Sequence, residues 1–242
     1  MKRQALAAVF ALLIAGPALA QAPAGAAAPA APNAAFEPYV GQPGKDVIWV
    51  PTPDAVIARM LDIAKATPSD FLIDLGSGDG RTVIAAGKRG MRAMGVEFNP
   101  DMVALSNREA QKQGVADKVK FVNGDIFATD FTQANIVTMY LLPSLNLKLR
   151  PTLLDMKPGT RVVSHAFTMG DWEPDETATP EGRQVFLWIV PAKAAGTWSL
   201  QSGGQSRPLA LTQTYQKLQG TLGTGGASLS VADARMNGDQ IR

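Results

Sequence analysis

Phe71-Leu-Ile-Asp-Leu-Gly-Ser-Gly-Asp-Gly-Arg81 is an apolar run that breaks into a glycine-rich, acidic turn. The run reads as a buried parallel strand, and Thr82 to Lys88 beyond the turn reads as a helix. Gly76, Gly78 and Gly80 let the main chain turn tightly and approach a ligand closely. The dinucleotide fingerprint G-x-G-x-x-G needs its third glycine at position 81, which is Arg81; here that glycine comes one residue early, at Gly80. An NAD-dependent oxidoreductase is therefore the weaker reading. Asp74 and Asp79 flank the turn, and two carboxylates suit a ligand with an amino group and a sulfonium better than a pyrophosphate.

Working outward, strand and helix alternate. Arg92 to Glu97 is a second strand ending in an acid, about twenty residues past the glycines, where a carboxylate can accept from both ribose hydroxyls. A helix from Phe98-Asn-Pro-Asp101 to about Gln113 leads to a third strand, Val119 to Asn123. Asp125 follows, placed to meet an exocyclic adenine amine, with Ile126 and Phe127 as an apolar wall for the ring. Asn135 to Leu142 is a fourth strand running into Pro143-Ser-Leu-Asn146 and a helix, Gly159 to Ser164 a fifth, and Gln184 to Val190 a sixth, buried one. This βαβ rhythm predicts an α/β fold with a Rossmann-like, mainly parallel sheet, helices on both faces and ligands at the carboxyl ends of the strands. Each acid singled out lies at such an end.

The flanks differ in texture. Lys2 and Arg3, the apolar run Leu6 to Ala15 and Ala18-Leu-Ala20 form a secretory signal peptide cleaved after Ala20, which predicts an exported, periplasmic protein. Membrane association is expected only if that segment stays uncleaved. Residues 21–35, almost wholly Ala, Pro and Gly, read as a disordered leader before a domain at 36–194. Val47 to Val50 precedes Pro51-Thr-Pro-Asp54, where Thr52 can cap a helix whose Val56, Met60, Leu61 and Ile63 share one face. Residues 195–242 read as a small β appendix: Leu209 to Tyr215 alternates with period two, although Leu211, Tyr215, Leu218 and Leu222 also fit helical spacing. Gly220 to Gly226 reads as a turn and Asn237-Gly238 as a hairpin signal. The few residues after it are too short for an ordinary return strand, which predicts a meander that is incomplete or borrows an edge from another chain.

Charge narrows the partners. Lys and Arg number 23 against 21 acids, and two of the basic residues lie in the first twenty positions, leaving a near-neutral mature chain without the electrostatic footprint of a nucleic-acid binder. With no cysteine and one histidine, His165, a metal site is not expected. His165 reads as a satisfied strand-end residue more readily than as a general base.

Asp74-Leu-Gly-Ser-Gly-Asp-Gly80 resembles motif I of the seven-strand S-adenosylmethionine (SAM) methyltransferases. With Trp49-Val-Pro-Thr-Pro53, Gly95-Val-Glu97, Tyr140-Leu-Leu-Pro143 and Gly170-Asp-Trp-Glu-Pro174, the match from about Val47 to Ala192 is similar to bacterial relatives of the ATP synthase c-subunit lysine methyltransferase family. The resemblance implies SAM as cofactor, held by Asp74, Gly76, Ser77, Gly78, Asp79 and Gly80, by Glu97 and by Asp125, with the segment that carries Thr52 closing over the methionine end. It implies methyl transfer to a lysine of a protein, or to another amine. Tyr140, at the end of the fourth strand, is the candidate catalytic residue, with Pro143, Asn146 and Trp172 at the substrate mouth. Tyr140 and Trp172 also admit a reading as packing residues, and Asp79 one as a helix cap. Export raises a competing function, because SAM is made in the cytoplasm: a non-catalytic envelope protein that binds a nucleoside or a protein on a methyltransferase fold.

Overall fold

The computed structural model describes residues 36–242 except Gly225; the expected signal peptide and leader lie outside the described residues. Strands β1 (Phe71–Leu75), β2 (Arg92–Glu97), β3 (Val119–Asn123), β4 (Ile136–Met139) and β5 (Arg161–His165) alternate with helices α1 (Asp54–Ile63), α2 (Arg81–Lys88), α3 (Pro100–Lys112) and α4 (Pro143–Leu154). β6 (Glu176–Ala178) and β7 (Val185–Ile189) complete a seven-stranded sheet in the order β3-β2-β1-β4-β5-β7-β6. β1 to β5 are parallel, as the βαβ spacing predicts. The sixth predicted strand, β7, runs antiparallel to β5, and the sequence reading missed β6, which pairs antiparallel to β7.

Both faces of the sheet are covered. Val56, Ile57, Met60 and Leu61 of α1 pack with Val83 and Ile84 of α2 and Ala110 of α3 over Leu72 and Ile136. On the other face, Leu149 and Leu153 of α4 join Ile73, Leu75, Val137, Trp172 and Trp188. Helix α3 starts where Asn99 accepts from the Asp101 amide at 2.9 Å and Pro100 occupies the first turn. Helix α1 starts differently from the expectation: Pro53 is its cap and no side chain caps it, because Thr52 is turned to His165.

The appendix is a second sheet of five antiparallel strands, β8 (Gly196–Ser202), β9 (Gln205–Thr214), β10 (Lys217–Gly223), β11 (Ser228–Asn237) and β12 (Gln240–Ile241). The strand reading of Leu209 to Tyr215 holds over the helical one. The predicted turn at Gly220 to Gly226 is shorter than expected, since Gly220 to Gly223 belong to β10. Gly220 sits beside a register shift, where a Cβ would lie 2.0 Å from the Ala210 carbonyl oxygen, so only glycine fits the strand there. After Gly238, Ile241 and Gln240 pair back on Met236 and Asn237, a return that leaves the outer side of β11 from Ser228 to Ala234 without a partner among the described residues, as the expectation of an incomplete edge requires. A two-residue return needs less chain than an ordinary strand. This sheet docks through Tyr215, stacked on Trp172, and through buried Gln216, whose Nε2 donates to the Glu173 carbonyl at 2.7 Å.

Candidate cofactor and substrate site

Strand order reverses between β1 and β4, and in parallel α/β sheets the crevice at that reversal is where ligands bind. Here it opens into a cavity of about 670 Å³, within the range of small-ligand sites. Asp74 and Thr138 are register partners across the reversal, and the Thr138 hydroxyl donates to Asp74 Oδ1 at 2.6 Å. Burial pushes the Asp74 carboxyl up to about 7; the Thr138 hydrogen bond opposes this, and the charges of Glu97 and Asp79 add to it. A carboxylate so destabilised is suited to a cationic partner.

The glycine loop is bound to β2 through the amides of Gly76 and Ser77, which donate to the Val96 carbonyl at 2.9 and 3.0 Å. Gly78 has a φ of +53°, and a Cβ there would meet the Trp49 indole nitrogen at 2.7 Å. Its amide donates to Glu97 Oε2 at 2.9 Å, and the Asn99 amide donates to Oε1 at 2.9 Å. Two backbone donors thus aim Glu97 while leaving lone pairs for hydroxyls. Gly80, with a φ of +80°, does not line the cavity. A Cβ there would meet Phe121 and the Ser106 hydroxyl, both at 2.7 Å, so packing requires a glycine where α2 begins.

Asp79 lines the cavity, and its Oδ1 also accepts from the amide of Arg81, the first residue of α2, at 3.3 Å, although Gly80 holds the cap position. Its carboxylate takes both Nε and Nη2 of Arg81, at 3.0 and 2.6 Å, and Arg81 Nη1 donates to the Thr52 carbonyl at 3.3 Å. The residue that breaks the dinucleotide fingerprint therefore ties the loop to the segment above it. Ser77 lines the cavity, but its buried hydroxyl lies over Gly95 without a hydrogen-bond partner among the described residues.

A short hairpin forms one wall. Gly41 and Trp49 are joined by a hydrogen bond of 2.8 Å, the amide of Gly44 donates to Val47 at 2.9 Å, and residues 42–52 all line the cavity. Lys45 at its tip pairs with Asp125 Oδ2 at 2.7 Å and lies 4.8 Å from the Phe98 ring centre. The Lys45 ammonium holds the Asp125 carboxyl below the usual range, helped by the Phe127 amide, which donates to Oδ1 at 2.9 Å. Ile126 lines the cavity beside it, while Phe127 does not.

Tyr140 lies at the end of β4 and lines the cavity with Leu141, Leu142, Leu145 and Phe167. Its ring stands 4.0 Å from the buried ring of His165, whose Nδ1 lies 3.2 Å from the Thr52 hydroxyl. Burial, with Arg183 adding to it, pushes His165 down to about 4, so the ring is neutral. Its Nε2 has no partner among the described residues, so the satisfied histidine of the sequence reading is only half satisfied.

The three expected mouth residues are not brought there. Asn146 is fully buried and its Nδ2 donates to the carbonyls of Phe167 and Thr168 at 3.3 and 3.2 Å, clamping the chain after β5. Trp172 is fully buried between Trp188 and Tyr215. Pro143 opens α4 and is exposed but does not line the cavity. Lys45, Phe98, Leu145 and Phe167 escaped the sequence reading. Phe98 carried a usable signal, an aromatic side chain directly after the acid of a strand end; Lys45 carried none, lying eighty residues from its partner.

A model of the ANTKMT methyltransferase domain matches residues 74–176. The chain is 40% identical to a protein-lysine N-methyltransferase of Saccharolobus islandicus over 151 residues, 60% of this chain and 94% of that relative. It is 39% identical to the ATP synthase c-subunit lysine N-methyltransferase of Rattus norvegicus over 52% of this chain, spanning only 58% of that relative. Among solved structures, an RNA methyltransferase from Salinibacter ruber in complex with S-adenosyl-L-homocysteine is 50% identical, with a TM-score of 0.58, covering 60% of this chain and 95% of that one. The chain belongs to this family of methyltransferases, enzymes whose methyl donor is SAM.

Proposed function

We propose that this methyltransferase acts on the ε-amine of a lysine in a protein and that the cavity beside β1 to β4 is where it does so. The observation that carries the reading is the convergence of Asp74, Glu97 and Asp125, from three strand ends, on one cavity. In this reading Asp74 accepts from the donor's amino group, Glu97 from the ribose, and Asp125 from the adenine amine beside Ile126. Lys45 then shares Asp125 with that amine. Thr52 and the hairpin cover the methionine end, and the Tyr140 ring borders the reacting methyl. The names of the archaeal and rat relatives support lysine as acceptor.

When bound, SAM supplies a methyl group activated by the positive charge on sulfur. The amine must be neutral to attack: its lone pair forms the N–C bond while the S–C electrons stay on sulfur, and its proton goes to water. Among the described residues no histidine lines the cavity, so the apolar mouth of Leu142, Leu145 and Phe167 favours the neutral amine by desolvation. Alignment near 3 Å, roughly, supplies the remaining acceleration.

An RNA acceptor is the second reading, favoured by the 50% identical structure, which is named an RNA methyltransferase. The lining argues for protein. Its charged side chains are Asp46, Asp74, Asp79, Glu97 and Asp125 against Lys45 and Arg81, and both cations are paired with acids, which leaves no free cation among the described lining residues to hold phosphates. Incubating the protein with labelled SAM and either protein or RNA extracts distinguishes the two; label in RNA alone overturns the lysine reading. Calorimetry with SAM tests the site, and an Asp74→Ala or Glu97→Ala variant that binds as tightly as wild type refutes the assignment. We also propose export with cleavage after Ala20, read from residues 1–20; a mature protein that retains Met1 disproves it.

A further inference from the structure

Each of the two sheets has two edges, and an unpaired edge is a template for another strand unless it is short, charged, kinked or covered. Three of the four are blunted. β3 carries exposed Lys120 in mid-strand, β6 is three residues long and begins with Glu176, and β12 covers only the end of β11, whose remaining outer side, Ser228 to Ala234, is interrupted by Asp233, a charged residue with a φ of +58°. β8 is different. Gly196-Thr-Trp-Ser-Leu-Gln-Ser202 is seven residues long, has no charge, no proline and no register shift against β9, and is exposed throughout. Among the described residues nothing pairs with its outer side.

The apolar side chains of β8 itself also lack cover. Trp198, Leu209, Leu222 and Leu229 are in register across four strands and form one apolar row. Trp198 and Leu229, at its two ends, are 51% and 57% exposed, and Leu200 stands next to Trp198 on the same face. The opposite face of β8 and β9 carries Thr197, Ser199, Gln201, Ser206 and Thr212. The 151 residues matched to the archaeal relative use 94% of that protein, so it has no counterpart for most of the rest of this chain. The second sheet lies outside residues 74–176, the part that the family model matches.

We propose that β8 pairs antiparallel with β8 of a second copy of this chain, forming a ten-stranded sheet across a two-fold axis at Ser199. The occupant must be an extended strand, because the edge offers backbone donors and acceptors. It must be uncharged and alternate apolar with polar residues, to continue both faces. β8 itself has that pattern. With the axis at Ser199, Trp198 of one copy lies beside Leu200 of the other, which extends the apolar row by cross-strand pairing. Neither strand carries charge, so the two copies do not repel there. The contact is small, which predicts a weak, concentration-dependent dimer dissociating at roughly 10–100 µM.

Sedimentation equilibrium of the full chain is the test. Leu200→Lys places like charges across the axis and is expected to raise the dissociation constant more than tenfold, with SAM binding and the melting profile retained. The chain has no cysteine, so Ser199→Cys introduces a single thiol. Residues directly opposite in antiparallel strands have Cα atoms about 4.5–5.5 Å apart, within reach of a disulfide, and mild oxidation should cross-link this variant into a dimer. If Leu200→Lys fails to fold, the cross-link decides. A wild-type chain that stays monomeric at about 500 µM overturns the proposal. So does a dimer indifferent to Leu200→Lys whose Ser199→Cys form does not cross-link. None of these outcomes depends on which acceptor is methylated.

Discussion

In the seven-stranded sheet, neighbours along a strand are both buried: Leu72 and Ile73 of β1 are each 0% exposed, one under α1 and α2, the other under α4. In the five-stranded sheet only one of two neighbours has cover. Leu211 of β9 is buried and Thr212 is exposed, and farther along the same strand Leu209 is half buried beside exposed Ala210. A parallel sheet needs crossover helices and so is covered on both faces, while an antiparallel meander joined by tight turns acquires no helices. The difference locates function. Where both faces are filled, only the ends of the strands are free to bind, and there Asp74, Glu97 and Asp125 stand. Where one face and an edge are bare, the surface itself is available.

Deleting side chains from both sheets tests this contrast most strongly. Ile73→Ala empties a fully covered site and should cost about 3–4 kcal/mol in urea unfolding, whereas Leu229→Ala, in the open sheet, should cost no more than about 0.5 kcal/mol. Equal losses would show that the second sheet is covered in solution.

The strand end is probed by pH. Asp74 titrates at about 7 in the folded chain and near its ordinary value of 3.8 when unfolded, so between these the folded state binds more protons and stability falls as pH rises. His165, down to about 4 from 6.5, has the opposite sign and adds stability as pH rises through that window. Taking the difference between Asp74→Asn and wild type cancels His165. That difference should move in favour of the variant by on the order of 3 kcal/mol between pH 4 and 7 and then level off, while the variant loses SAM affinity. A flat difference means that Asp74 is solvated.

A smaller effect than that at the strand end concerns the seam between the sheets. Gln216→Ala removes the donor to the Glu173 carbonyl and should cost about 1–2 kcal/mol. A single unfolding transition in this variant means that the sheets remain one cooperative unit; two transitions mean that the seam alone coupled them.

Legibility followed the range of the interactions. Asp74, the glycines and Glu97 could be read because strand, turn and helix are adjacent in the chain and place those residues by local geometry. The direction of β7 could not: Val185 to Ile189 is equally apolar whichever way it runs. β6 has three residues, too few for a period. Asn146 and Trp172 were misplaced because nearness to a motif says nothing about where a side chain points. Asn146 turns inward to clamp the carbonyls after β5, and Trp172 turns into the core between α4 and the seven-stranded sheet.

The sequence by itself determined the parallel sheet, the cofactor class and the acids at three strand ends, since each is encoded by hydrophobic period, glycine spacing and the distance between neighbouring elements. Only the tertiary structure decided that Lys45 reaches Asp125, that Arg81 ties the glycine loop to Thr52, that Tyr140 rests on a neutral His165, and which sheet edge stays open. These depend on contacts between residues far apart in the chain, and no local pattern carries them.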